Sequence, residues 1–431
     1  MASPDPRYIR NLLLEMYEAA VVTAHPATCV PPHLPPVPAG GRILVVGAGK
    51  ASAAMAQATE RFYKESGRAD DISGFVTTRH GYGLPTEIIE VVQAGHPVPD
   101  ANSIAAAKRA LALAASAGPN DLVLALMSGG ASALWAAPVE GVSFEAKQTL
   151  TRQLLRSGAR ISEINCVRRH LSRIKGGKLA AAAHPARLIT LAISDVPGDE
   201  PAAIGSGPTV ADPTTLQEAR DVLARYAITP PEGVAAALAD PANETLKADD
   251  PKLGSSSYLI VAAPKASIEA AAAIARREGY RVEMLGDSLE GEARDVGRQH
   301  AEIALAARSR GERVAILSGG EFTVTVKGNG AGGPNQEYAL GLALALNCAP
   351  GISAIAGDTD GIDGGGGNAD DPAGALVLSD TLERARALNL NAAAFLENND
   401  SSGFFGKVGD LLNRGPTQTN VNDFRAVLVD P

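Results

Sequence analysis

A short apolar run that breaks directly into a turn of glycine, serine, lysine or aspartate recurs along this chain. It ends in Gly47–Lys50, Ser128–Gly130, Ser194–Asp199, Ser318–Glu321 and Gly357–Asp363. Runs that are short, apolar and without period-two alternation read as strands buried on both faces. Strands of this kind separated by helical segments predict an α/β fold: two α/β domains, the first Rossmann-like with a mainly parallel sheet. Ligands in such folds sit beyond the C-terminal ends of the strands, so the polar turns are where function is expected. Residues 188–209 show the pattern most fully. Leu188 to Ile193 is a strand, Ser194 and Asp195 follow, and Pro197, Gly198 and Asp199 make a turn. Gly205-Ser206-Gly207-Pro208 can then aim backbone N–H groups at an anion, so this end suggests a site for a cation and a phosphate.

The length of 431 residues exceeds a usual single core and predicts two domains, 1–250 and 251–431. A net charge of −9 disfavours nucleic acid or an anionic membrane as partner, and an acidic substrate would need a local basic pocket. The helical stretch 143–184 supplies a candidate: Arg168, Arg169, His170, Arg173, Lys175 and Lys178, interrupted by Gly176-Gly177. A solvated basic face is the alternative. Cys29, Cys166 and Cys348 have no zinc or CxxC spacing, which reads as free thiols in a reducing compartment. Asp5, Glu15 and Glu18 interrupt any signal-peptide core, and no apolar run is long enough for a membrane span. A cytoplasmic protein is expected. A homodimer is carried as a candidate assembly.

Residues 42–58 read as strand, glycine turn and Ala-rich helix, with Lys50 in the first helical turn. A cation there is disfavoured unless an anion is nearby; the alternative is a surface lysine at an ordinary turn. Further strands are predicted at Gly74–Thr78, Val91–Val92 and Asp121–Met127. A second α/β unit is expected to begin at Ser257, with strands at Tyr258–Ala262, Arg281–Leu285 and Arg313–Leu317, a hairpin partner at Phe322–Val326, and strands at Ile352–Ala356 and Phe424–Val429. The acidic run from Asp358 is no EF-hand, because its fifth and twelfth positions are Ile362 and Ala369.

GxSxG, HExxH and Walker patterns are absent. What remains is anion-binding backbone, one early lysine, and carboxylates suited to Mg²⁺. That inventory fits a kinase outside the P-loop class, since phosphoryl transfer needs mostly positioning and charge neutralisation.

Seven segments now carry a resemblance: Gly47-Ala-Gly-Lys50-Ala-Ser, Gly95-His-Pro-Val-Pro-Asp100, Ser128-Gly-Gly-Ala-Ser-Ala-Leu, His170 through Ala180, Ser194-Asp-Val-Pro-Gly-Asp199, Ser318-Gly-Gly-Glu321 and Thr419-Asn-Val-Asn-Asp423. In this order they resemble the glycerate 2-kinase family, which joins an N-terminal glycerate kinase domain to a C-terminal MOFRL domain. The resemblance implies phosphorylation of D-glycerate to 2-phosphoglycerate with ATP and Mg²⁺, in a cleft between two α/β domains. It implies Lys50 and Asp195 as catalytic residues and Asp195, Asp358 and Asp360 as metal ligands. Substrate and phosphate contacts are expected from Gly49, Ser128, Gly129, Gly130, Ser132, Arg168, Arg173, Lys175, Ser318, Gly319, Glu321 and Asn335. One departure stands out: many members carry Arg where this chain has Pro334, and that Arg is implied to contact substrate or phosphate. Arg168, Arg173 and Lys175 are the candidates to replace it.

Two other classes compete. Gly47-x-Gly49-x-x-Ser52 loosely fits a dinucleotide fingerprint, with Arg79 placed for a 2′-phosphate, which would suit an NAD(P)H-dependent hydroxypyruvate reductase. Against it, Ser52 replaces the last Gly or Ala, and Asp70 and Asp71 precede the second strand instead of ending it. A non-catalytic binder of small anions would explain two domains but not so many polar strand ends.

Overall fold

A computed structural model describes residues 5–364 and 370–431. Gly365–Gly367 of the glycine run and Ala369 therefore lie outside the described residues. The chain forms two compact units, Cys29–Val261 and Met1–Thr28 with Ala262–Pro431. The division expected at 250/251 differs from this at both ends. Helix Pro6–Ala24 buries Leu12, Leu13, Met16 and Tyr17 in the core of the unit built mainly from the C-terminal half. Its amphipathic face was legible in sequence, but which sheet covers that face was not.

The first unit is built on a six-stranded sheet of β1 (Ile43–Ala48), β2 (Ile72–Arg79), β3 (Ile89–Ala94), β4 (Leu122–Met127), β5 (Arg187–Ile193) and β6 (Ser256–Ala262), in the order β3-β2-β1-β4-β5-β6. Strands β1 to β5 are parallel. β1 and β4 are buried along their whole length, because helices pack on both faces of a parallel sheet. Ala106, Ala107, Ala110 and Ala114 let helix Ala101–Ala115 approach the sheet closely. The strand order reverses between β1 and β4, where Rossmann-type sheets leave a crevice for ligands.

β6 corrects one expectation. It was assigned to the second domain, yet it forms the edge of this first sheet, beside β5. Its half-exposed pattern fits an edge, but an apolar run does not encode its neighbour. Residues 210–254 also belong to this unit. Helices Leu216–Arg225 and Val234–Ala239 share a core with Phe144–Arg156 and Ile161–His170.

The second unit has a mixed sheet of β7 (Arg281–Leu289), β8 (Val314–Gly320), β9 (Ile352–Asp358), β10 (Gly374–Val377), β11 (Leu411–Leu412) and β12 (Asp423–Val429), in the order β11-β10-β9-β12-β8-β7. Only β7 and β8 pair in parallel; β12 runs antiparallel between β8 and β9. The hairpin expected at Phe322–Val326 is not formed: Thr323 makes a single bridge to Glu292, and Phe322 turns inward beneath Arg425. The polar segment 417–423 is buried, since Thr359 and Thr417 tie it to the end of β9. Among the described residues no helix is long and apolar enough to cross a membrane.

Candidate active site

The first turn is closed by its own hydrogen bonds. Gly49 adopts φ +143°, and a Cβ there would lie 2.0 Å from Ser128 Oγ and 2.6 Å from the Ser128 carbonyl oxygen. Backbone N–H groups are spent locally: Gly49 donates to Thr77 O (3.1 Å), Lys50 to Gly129 O (2.8 Å), Ala51 to Ser128 Oγ (3.0 Å) and Ser52 to Gly49 O (3.2 Å). The Ser52 hydroxyl then bonds Gly49 O and Thr77 O, each at 2.8 Å. The expectation that Gly47–Lys50 cradles a phosphate through its backbone is thus corrected. These donors sew the end of β1 to the ends of β2 and β4, and Gly49 serves by permitting that approach. Lys50 also sits just ahead of helix Ser52–Glu65 instead of inside its first turn.

The turn after β4 is different. Gly130 takes φ +84° and starts the short helix Ala131–Leu134. Among the described residues the N–H groups of Gly129 and Gly130 have no partner, although Gly129 is buried. A buried donor without a partner is costly, and it marks the place where an anion would be welcome. Three side chains close on these glycines. A Cβ on Gly129 would fall 1.8 Å from Asp195 Oδ2, and one on Gly130 would fall 3.0 Å from His96 Cδ2 and Nε2 and 3.4 Å from Lys50 Cγ. Residues following β1, β3 and β5 therefore gather on the turn following β4. His96 belongs to the segment Gly95-His-Pro-Val-Pro-Asp100. Its signal was a histidine directly beyond a strand end, a place shared with Lys50 and Asp195.

The basic stretch is largely buried rather than a solvated face. Arg169 pairs with Asp212 at 3.0 Å. Lys147 donates to Leu171 O (2.8 Å) and Lys178 to Ser172 O (2.8 Å), at the carbonyl end of helix Ile161–His170 where cations are favoured, and Lys178 also donates to Asn243 O (3.0 Å). Arg168 and Lys175 converge instead on one neutral residue. Arg168 Nη2 lies 2.8 Å and Lys175 Nζ 2.6 Å from Ser132 Oγ, and Lys175 also bonds Ser132 O at 2.7 Å. Both lone pairs of that hydroxyl are taken, so its proton goes to Ser206 Oγ, 3.0 Å away. Burial, then the nearby Arg168, Lys147 and Arg169, holds the Lys175 ammonium well below its ordinary pKa. Arg173 stands apart, exposed and donating to Pro138 O. Gly205–Gly207, read as an anion loop, is corrected too: the N–H groups of Ser206 and Gly207 bond Ala203 O and Ile204 O, while their carbonyls accept from Gly176 and Gly177.

In the second unit, Ser318 and Gly319 do not form a turn. They lie within β8, paired with Arg425 and Phe424, and Arg425 donates to Gly319 O at 3.3 Å and Gly320 O at 3.5 Å. Glu321 is exposed beyond the strand end. Asn335 lies in the first turn of helix Pro334–Leu346 and bridges two buried carboxylates, donating to Asp363 Oδ1 (3.1 Å) and to Asp423 Oδ1 (2.7 Å). The N–H groups of Asn335 and Gln336 complete the cap on Asp363 at 3.0 and 2.8 Å. Burial and then the neighbouring Asp423 push the Asp363 carboxyl up to about 7. Asp358 and Asp360 occupy the end of β9, where Asp360 N bonds Asp358 Oδ1 (2.8 Å) and Ile362 N bonds Asp360 Oδ1 (2.9 Å). Among the described residues no group of three or more His, Cys, Asp or Glu side chains is arranged to hold a metal ion. Mg²⁺ in kinases needs only one or two carboxylates besides phosphate oxygens, and these hard oxygen donors suit it.

The domain of unknown function DUF4147 matches residues 12–239, and the MOFRL family matches residues 314–423. A D-glycerate 2-kinase of Thermotoga maritima is 38% identical over 97% of this chain and 98% of its own length. The chain belongs to the glycerate 2-kinase family. A crystal structure of glycerate kinase from Thermotoga maritima superposes with a TM-score of 0.88 at 37% identity, covering 98% of this chain and 100% of that one. A protein of Agrobacterium vitis named putative hydroxypyruvate reductase is 50% identical, over 97% of this chain and 94% of its own length. The family thus carries two functional names, and the site has to decide between them.

Proposed function

We propose that this protein transfers the γ-phosphoryl group of ATP to the 2-hydroxyl of D-glycerate, giving 2-phospho-D-glycerate. The observation that carries this reading is the gathering of Lys50 and Asp195 on Gly129 and Gly130, whose N–H groups have no partner among the described residues. Those donors and the Lys50 ammonium would neutralise phosphate charge, the main task in phosphoryl transfer. The Asp195 carboxylate would orient the substrate hydroxyl and accept its proton. Asp195 is the carboxylate beside these donors that would hold Mg²⁺, which when bound screens the charge of the phosphates; Asp358 and Asp360 are hard-oxygen candidates within the second unit taken by itself.

The reductase reading requires a pyrophosphate on the first βα turn. The turn's N–H groups at Gly49, Lys50, Ala51 and Ser52 are already bonded, and the Ser52 hydroxyl fills the place of the last glycine. Arg79 at the end of β2 stacks over Tyr82, 4.4 Å from the ring centroid. These observations favour the kinase. Purified protein supplied with D-glycerate, ATP and Mg²⁺ is expected to form ADP, and to leave NADPH unoxidised when given hydroxypyruvate. Nicotinamide oxidation without ADP formation would reverse the assignment.

A further inference from the structure

The kinase reading leaves two charges without a task. Of the buried cations in the first unit, Arg169 has its aspartate and Lys147 and Lys178 have carbonyls at a helix C-terminus. Among the described residues the side chains of Arg168 and Lys175 share the Ser132 hydroxyl, Lys175 adding the Ser132 carbonyl and Arg168 the Asn165 side chain (3.3 Å). Neither has a carboxylate among the described residues, and Lys175 is 3% exposed. With Arg168 beside it, out of water and on one neutral group, Lys175 is disfavoured from carrying a second positive charge, a penalty that a bound anion removes.

We infer that Arg168 and Lys175, held on Ser132, anchor the substrate's carboxylate and so restrict the enzyme to acids that carry the reacting hydroxyl on the adjacent carbon. Placement supports a carboxylate over a phosphate. The N–H groups suited to phosphate are at Gly129 and Gly130, and Asp195 rests on Gly129; the cation pair meets the same short segment at Ser132. A carboxylate seated there would leave the hydroxyl of its adjacent carbon to face the short segment on which Asp195 rests. The Arg168 fork can take a planar carboxylate through two N–H groups, and the Lys175 ammonium has a third proton to donate. The inference rests on the proposed reaction for its substrate, but the anchor itself does not need turnover.

The test uses the full chain and the variants Lys175→Met and Arg168→Met. Calorimetry reads binding of D-lactate, hydroxypyruvate and inorganic phosphate, with glycerol as the neutral control, and ADP formation reads KM for D-glycerate and for ATP. Wild type is expected to bind D-lactate and hydroxypyruvate and not glycerol. Each variant is expected to raise KM for D-glycerate roughly 10- to 150-fold, the worth of one charged hydrogen bond, with KM for ATP unmoved. Lys175→Met should also keep or raise the melting temperature, because it removes a buried charge that has no counter-ion; a structural lysine would give the opposite sign. Glycerol binding as well as D-lactate overturns the anchor without needing any variant. So does a parallel rise in KM for ATP, or loss of phosphate binding with D-glycerate unaffected. Lys175-dependent binding of D-lactate with no ADP formed in wild type upholds the anchor and sinks the kinase reading, so the two fail separately.

Discussion

Gly129→Ala tests the site with a single methyl group. A Cβ at Gly129 would lie 1.8 Å from Asp195 Oδ2, 2.4 Å from its Cγ and 2.9 Å from Oδ1, whereas contacts under 3.0 Å are essentially never seen. The nearest oxygen must therefore retreat by 3.0 − 1.8, about 1.2 Å. Displacing a reacting group by about 1 Å costs on the order of 100-fold in rate, or roughly 2.7 kcal/mol of transition-state stabilisation. The fold should tolerate the change. Gly129 is not in the left-handed region, its N–H remains, and the clash is with a half-buried side chain that can change rotamer for about 0.5–1.5 kcal/mol. The expected result is a kcat about 100-fold lower, with a melting temperature within a few degrees of wild type and an unchanged KM for ATP. A double-mutant cycle with Asp195→Ala then asks whether the methyl acts through Asp195. If it does, Gly129→Ala costs nothing further once the carboxylate is gone. Turnover above half of wild type in the single variant, or two effects that simply multiply, would refute the placement of Asp195 as the reacting carboxylate.

Lys50→Ala and Asp195→Asn should each lower turnover by at least about 10²- to 10³-fold with the melting temperature preserved; near-normal kcat in either removes that residue from the chemistry. Gly49→Ala makes a contrast with Gly129→Ala, because its Cβ meets the Ser128 backbone at 2.6 Å and its φ is +143°. It should cost at least about 2 kcal/mol of stability in urea unfolding, and a neutral result would mean the β1 turn can be rebuilt. Lys147→Met addresses pH. Burial, then Arg168 and Lys178, lowers the Lys147 ammonium from its ordinary value to about 7. The folded chain sheds this proton above about pH 7 while the unfolded chain holds it to about 10.5, so its contribution to stability rises across that window. Between pH 7 and 9 wild type should gain on the order of 2 kcal/mol more than Lys147→Met, and equal gains would show that the ammonium is solvated.

The central strands of the first sheet, β1, β4 and β5, were legible because they are buried on both faces and end in turns that cannot extend a strand. Lys50, Asp195 and Ser128–Gly130 could be picked out for the same reason. What one sequence withholds is pairing. Nothing in Ser256–Ala262 states that it borders β5, and nothing in Pro6–Ala24 states that its apolar face packs with β9 and β12. Hydrogen-bond bookkeeping is hidden as well. Gly47–Lys50 and Gly205–Gly207 have the composition of anion loops, yet their donors are consumed by neighbours distant in sequence. The roles of the basic stretch could not be separated either, because Arg168 and Arg169 are adjacent and Asp212, which neutralises only one of them, lies far along the chain.

The two Ser-Gly-Gly segments show what decides such cases. After β4 the neighbours β1 and β5 are parallel, so all three strands end on the same side and their following residues converge there. The chain turns at once into a helix, leaving the N–H groups of Gly129 and Gly130 pointing out of the ladder. After β8 the same three residues stay in the strand, because antiparallel β12 begins at that level: Asp423 pairs with Gly320, and Arg425 with Ser318. The carbonyls that remain at this end face a cation supplied by the partner strand, with Asp423 as its counter-ion. A short glycine motif thus becomes an anion-facing turn or a closed strand end according to the direction of the strand beside it. Here direction leaves the donors of Gly129 and Gly130 open and closes the matching strand end at Ser318–Gly320, which is why the reaction is assigned to the first of two nearly identical sequences.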